Sequence, residues 1–158
     1  MLLNALGTCL NIVLDSGPMG LLTTPTMSSE TVACEEWLAK MISARHRIVL
    51  PEIIVYELRR ELLRMNKRKS LERLDNFKRS VSFHPLETLA MDKAAEFWAE
   101  SRKRGKPTAS EKALDVDVIL AAQAWQLTLD GSPVIIATTN RKHLAQYVPA
   151  EHWKAIHS

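Results

Sequence analysis

The sequence predicts an α/β domain: three layers, helix–sheet–helix, around a central, mostly parallel sheet. Three observations carry this. Short β-branched runs without polar interruption alternate with longer runs at helical spacing, and strands of that kind are buried on both faces. The chain of 158 residues fits one domain, and no linker rich in Gly, Ser or Pro divides it. Apolar residues make up 46% and charged residues 25%, enough for a true core beneath a solvated surface.

Residues 1–10 read as a leader, poorly ordered or loosely docked, and residues 11–158 as the single domain. The leader lacks the Lys or Arg of a secretory signal, and Asn4 and Thr8 interrupt its apolar run. Ile12-Val13-Leu14 is the first strand, and Asp15-Ser16-Gly17-Pro18 reads as a turn after it. Ser28-Ser29-Glu30 opens a helix whose Cys34, Leu38 and Met41 share a face with Trp37 alongside. Arg47 to Leu50 is a second strand, closed by Pro51. Ile54, Leu58, Leu62 and Met65 form the stripe of a long helix. Ser70 is read as the cap of another helix, carrying Leu71, Leu74 and Phe77. Val81 to Phe83 is a short third strand, and Thr88 caps a helix with Met91, Ala94, Ala95 and Trp98. A basic loop follows from Ser101 to Pro107. Asp115 is read as the cap of the apolar run Val116 to Leu129. Val134 to Ala137 is the most strand-like run, Arg141 to Tyr147 a short helix, and Trp153 to Ile156 a last edge strand.

Several function classes drop out. No stretch is long and apolar enough to span a bilayer. Cys9 and Cys34 make neither a disulfide framework nor a zinc cluster, which points to a reducing, cytoplasmic setting. His84, His143, His152 and His157 share no ligand spacing, and the four Trp read as core or interface. A dinucleotide site needs Gly-x-Gly-x-x-Gly, which is absent. A haloacid-dehalogenase-like phosphatase needs a second Asp where Gly17 stands, and a receiver domain needs an Asp ending its middle strand.

What remains is a set of polar residues at strand ends. In a parallel sheet the site lies outside the carboxyl ends of the strands. Asp15 follows the first strand, Glu57 lies in the helix after the second, Asp117 lies in the helix before the best strand, and Thr139 and Asn140 follow that strand. Carboxylate and amide oxygens in one cleft suit Mg²⁺ or Mn²⁺ and phosphate chemistry. Each residue also has a plainer reading: a turn for Asp15, a solvated helix face for Glu57, a cap for Asp115 or Asn140. Asp117 resists one, because a charge inside Val, Ile, Leu and Ala needs a partner. Asp115 and Asp117 diverge by about 200° on a helix, so Asp117 goes to the site and Asp115 to capping or support.

These segments resemble the PIN-domain nucleases, and within them the VapC-type ribonucleases of toxin–antitoxin pairs. The resemblance is carried by Ile12-Val13-Leu14-Asp15-Ser16, Tyr56-Glu57-Leu58, Asp117-Val118-Ile119-Leu120-Ala121-Ala122-Gln123-Ala124 and Ala137-Thr138-Thr139-Asn140, in the family's order. It implies a PIN-like fold, with Asp15, Glu57 and Asp117 as acidic Mg²⁺ or Mn²⁺ ligands and Ser16 and Thr139 in support. Asn140 stands where the family carries a fourth acidic residue or, in some members, Asn. The implied catalytic set is therefore Asp15, Glu57, Asp117 and Asn140, with three formal negative charges. The implied partners are RNA, a small antitoxin protein and a second copy of the chain.

Between Arg59 and Arg79 nine basic residues face three acids, a net +6 against +3 for the whole chain. Arg59, Arg64, Lys67, Arg68, Lys69 and Arg73 are the candidate RNA contacts, and the alternative is a solvated helix face. The leading expectation is a metal-dependent endoribonuclease. The competing one is a catalytically weak PIN-like module that binds RNA or protein, with Asn140 as its best support.

Overall fold

In the computed structural model, residues 8–105 and 111–158 are described. Most of the expected leader, and Lys106 and Pro107 of the expected basic loop, lie outside them, while Ser101 to Lys103 of that loop are instead the last turn of a helix. Five strands form one sheet: β1 (Asn11–Leu14), β2 (Arg47–Pro51), β3 (Ser82–His84), β4 (Val134–Thr138) and β5 (Ala150–His152), in the order β3-β2-β1-β4-β5. All four pairings are parallel. Ile12 stands beside Ile48 on one side and Ile135 on the other, and Leu14 beside Ala137. The unbroken apolar runs have this cause: Ile12, Val13, Leu14, Val49, Leu50 and Ile136 are all fully buried, with helices over both faces.

Seven helices connect the strands: α1 (Ser16–Thr23), α2 (Ser29–Ser43), α3 (Glu52–Arg64), α4 (Arg68–Ser80), α5 (Thr88–Lys103), α6 (Glu111–Gln126) and α7 (Arg141–Leu144). Right-handed crossovers place α1 to α4 on one face and α5 to α7 on the other, giving the expected three-layer, PIN-like architecture. Ala121, Ala122 and Ala124 are wholly buried on α6, and Ala90 and Ala94 are buried on α5. Small residues of this kind let the two helices pack closely. No helix of the described residues is long and apolar enough to cross a membrane.

The chain leaves β1 for β2 on one side and later brings β4 to the other. The β1–β4 boundary is thus the place where connections diverge and open a crevice at the carboxyl edge.

Several expected boundaries move. Asp15 to Pro18 is no free turn: Asp15 caps α1, and Pro18 sits in the first turn, where its missing N–H costs nothing. Ser70 is not a cap, since α4 begins at Arg68 after a reversal at Asn66 in left-handed backbone. The helix placed after Thr88 is capped one residue earlier, at Glu87. Asp115 is no cap either, because α6 begins at Glu111 and Asp115 lies a turn inside. The last edge strand is Ala150–His152, while Trp153–Ala155 is a 3₁₀ turn that buries Trp153 against Trp37. At the other terminus, Leu10 is buried, and its backbone N–H donates to His46 Nδ1.

Candidate active site

Asp15 is fixed by the geometry of a strand running into a helix. Its N–H donates to Ala137 O at 3.0 Å, extending the β1–β4 ladder by one residue. Its Oδ1 accepts from the Ser16 N–H at 2.7 Å, which caps α1. The Ser16 hydroxyl lies 3.4 Å from the same oxygen. Its Oδ2 accepts from the Thr138 hydroxyl at 2.7 Å. The Thr138 oxygen in turn accepts from the Asn140 N–H at 2.9 Å. Thr138, fully buried at the end of β4, therefore ties the first acid to the backbone of Asn140. Reading by residue type missed it because a strand-end Thr looks like ordinary β propensity.

Glu57 stands on α3 and Asp117 on α6, two helices from opposite layers. Gln123 holds them in relation. Its wholly buried amide accepts from the Ile53 N–H at 3.1 Å and donates to His84 O at 2.9 Å, so α6 is stitched to the start of α3 and the end of β3. Glu52 adds a tie from α3, accepting from the Leu86 N–H at 2.5 Å.

The three carboxylates lie within reach of one another's charge. Burial, then the charges of Asp15 and Asp117, push Glu57 above its ordinary value, against the pull of Arg60. Burial and the Asp15 charge push Asp117 up to about 6, opposed by His143. His143 Nδ1 lies 3.4 Å from Asp117 Oδ2, the one cation-forming side chain drawn onto this centre from α7. The sequence offers it no zinc-ligand spacing, but spacing is no test for a single ion-pair partner.

The remaining expected residues divide. Ser16 touches Asp15, as described. Thr139 is exposed, and its side chain packs on Gly17: a Cβ there would come within 2.7 Å of Thr139 Cγ2 and closer to Oγ1. Gly17 is thus required by this close approach. Asn140 is exposed at the start of α7 and makes no side-chain cap bond. Asp115 is exposed and lines a separate cleft with Met91, Trp98, Val118 and Ile119, so it gives Asp117 no support.

The basic run divides as well. Arg59 pairs with Asp75, Arg64 with Glu61 at 2.8 Å, and Arg73 with Glu35 at 3.5 Å. Lys67, Arg68 and Lys69 are exposed and, among the described residues, unpaired.

The donor set is oxygen-rich, as hard divalent cations require. Glu57 Oε2 is buried without a hydrogen-bond partner, an orphaned lone-pair site facing like charges. Among the described residues no three His, Cys, Asp or Glu side chains close on one point as a ready cage. Mg²⁺ needs no such cage, since it keeps several waters and takes one or two carboxylates. The residues fit an ion of that kind.

No protein-family model matches the sequence, and no curated protein matches it. Solved structures do. A chain in VapBC2 of Rickettsia felis, bound to a DNA fragment from its promoter, is 16% identical with a TM-score of 0.65, covering 90% of this chain and 98% of that one. Chains in VapBC-1 of nontypeable Haemophilus influenzae and in DNA-bound VapBC of Salmonella typhimurium are each 16% identical with a TM-score of 0.66, covering 91% of this chain and 98% of theirs. At that identity the likeness establishes a shared fold across nearly the whole of both chains.

Proposed function

We propose that this chain is a Mg²⁺- or Mn²⁺-dependent endoribonuclease of the VapC kind, the toxin of a pair with a small VapB-like antitoxin. The observation that carries it is that Asp15, Glu57 and Asp117, from three separate elements, feel one another's charge, and that burial and like charge raise both Glu57 and Asp117. Clustered carboxylates of this kind are stabilised by a divalent counter-charge. The VapBC neighbours support the antitoxin, and the basic run supports RNA as the polyanion.

Asp15, Asp117 and Glu57 would hold the ion. Bound there, it supplies Lewis-acid polarisation of a phosphate oxygen and a lowered pKa for water. The chain's own residues do the rest. Ser16 and Thr138 fix both Asp15 oxygens, so the carboxylate enters the reaction already oriented. Glu57 carries a free oxygen and a raised affinity for protons, which suits it to orient the attacking water and take its proton. His143 restrains Asp117 from the α7 side. Asn140, tied to Thr138 through its backbone N–H, would add a neutral amide.

The test is cleavage of a single-stranded RNA with Mn²⁺, with EDTA, and by Asp117→Asn. The reading expects cut RNA only from the wild type with Mn²⁺. RNA bound but uncut under all conditions supports instead the non-enzymatic module, which the neutral Asn140 favours.

A further inference from the structure

A second functional feature lies away from the carboxylates. The end of α1 and the turn between α3 and α4 enclose a cleft of about 510 Å³. Leu58, Leu62 and Met65 give it an apolar lining, and the unpaired trio Lys67, Arg68 and Lys69 lines it as well. Thr24 and Thr26 line it too.

The trio also stands at the start of a helix. Lys67 occupies the cap position of α4 and supplies no side-chain cap, and the first turn holds no acid. The Arg68 N–H bonds back to Asn66 O, and Leu71 N–H is the first to close on Lys67 O. The amides between them, of Lys69 and Ser70, are the orphan donors of a helix start, where the helix dipole favours an anion. An independent observation points the same way. Ser70 lines the cleft at only 6% exposure, and its hydroxyl has no hydrogen-bond partner among the described residues. The hydroxyl is not sealed from the cleft that the residue lines, so it is free to donate to an acceptor seated there.

We infer that this cleft binds one phosphate of a single-stranded RNA backbone, held by the Ser70 hydroxyl, the α4 amides and the Lys67–Lys69 trio, with the nucleoside on Leu58, Leu62 and Met65. The inference rests on the ribonuclease reading for the identity of the strand. Position supports it. Thr23 is eight residues along α1 from Asp15, and Met65 eight residues along α3 from Glu57. At the helical rise of 1.5 Å, both spans are about 12 Å. A strand cut at the carboxylates would therefore meet the cleft a few nucleotides away. The paired arginines Arg59, Arg64 and Arg73 lie outside this set.

The experiment compares the full-length wild type with Lys67→Gln/Arg68→Gln/Lys69→Gln and with Ser70→Ala. A control, Lys40→Gln/Arg45→Gln/Lys154→Gln, removes equal charge elsewhere. Fluorescence anisotropy reads binding of a ten-nucleotide RNA in EDTA, and a second assay reads Mn²⁺-dependent cleavage of a dinucleotide too short to reach the cleft. The triple variant should bind the decamer about tenfold more weakly, with a salt slope shallower by about 0.7 for each phosphate charge it no longer neutralises. Ser70→Ala should weaken binding with no change of charge, and the control should bind as the wild type does. Dinucleotide cleavage should be unchanged in the control. Equal decamer affinity in wild type and triple variant overturns the cleft, as does an equal loss in the control. Failure of the ribonuclease reading looks different: neither substrate is cut, while decamer binding still depends on the trio and Ser70. If an acidic peptide binds the trio and the decamer does not, the occupant is a protein and the inference falls.

Discussion

Replacing Asp117 by Asn should make the metal-free protein more stable, and the gain should depend on pH. Asp117 titrates near 6 in the folded chain against an ordinary value of 3.8. Between those values the folded state binds more protons than the unfolded one, so stability falls as pH rises through that window. Above it the burden is complete, and integrating across it gives about 3 kcal/mol as an upper figure. The side chain is 20% exposed and the variant alters its contact with His143, so a net gain of about 1–3 kcal/mol at pH 8 is the working expectation. For a domain of this size that is a rise in melting temperature of about 2–10 °C. At pH 4.5 the same linkage leaves about a third of the gain. Thermal unfolding in EDTA at both values is the assay. A variant that is less stable at pH 8, or whose gain ignores pH, would refute the claim that Asp117 is held charged against burial and Asp15.

Gly17→Ala should lower stability by about 1–3 kcal/mol, because its Cβ meets Thr139, while Gly20→Ala, with open space at that position, should be neutral or stabilising in thermal melts. Gln123→Leu orphans the buried Ile53 N–H and His84 C=O, so urea unfolding should show a loss of about 2–5 kcal/mol, and a change under about 0.5 would contradict its stitching role. Asn140→Asp should raise Mn²⁺ affinity by restoring a fourth negative charge, whereas Asn140→Ala should leave the melting temperature unchanged, since Asn140 makes no cap bond.

The architecture was legible because buried parallel strands leave a strong mark: runs such as Ile12-Val13-Leu14 and Val134-Ile135-Ile136-Ala137 tolerate nothing polar. The strand-end rule then pointed to Asp15, Glu57 and Asp117, which the fold brings into one another's fields. Helix starts were less legible. Ser70 and Asp115 are good capping types, yet each lies inside its helix, because the backbone reversal at Asn66 and the longer reach of α6 set the boundaries. Residues whose role exists only across the fold left little sign. Thr138 matters through Asp15, which lies 123 positions away in the chain. His143 matters through Asp117, and Gly17 through Thr139. The basic run could be counted in the sequence, but not its division into arginines already paired and a trio lining a cleft.

The most direct test of the acidic centre is calorimetric titration of Mn²⁺ into the wild type, Asp15→Asn, Glu57→Gln and Asp117→Asn, each checked for a folded thermal transition. A Mn²⁺ site is expected in the wild type, lost in Asp15→Asn and Asp117→Asn and weakened in Glu57→Gln. Equal Mn²⁺ affinity in all four proteins, or none in the wild type, would contradict it.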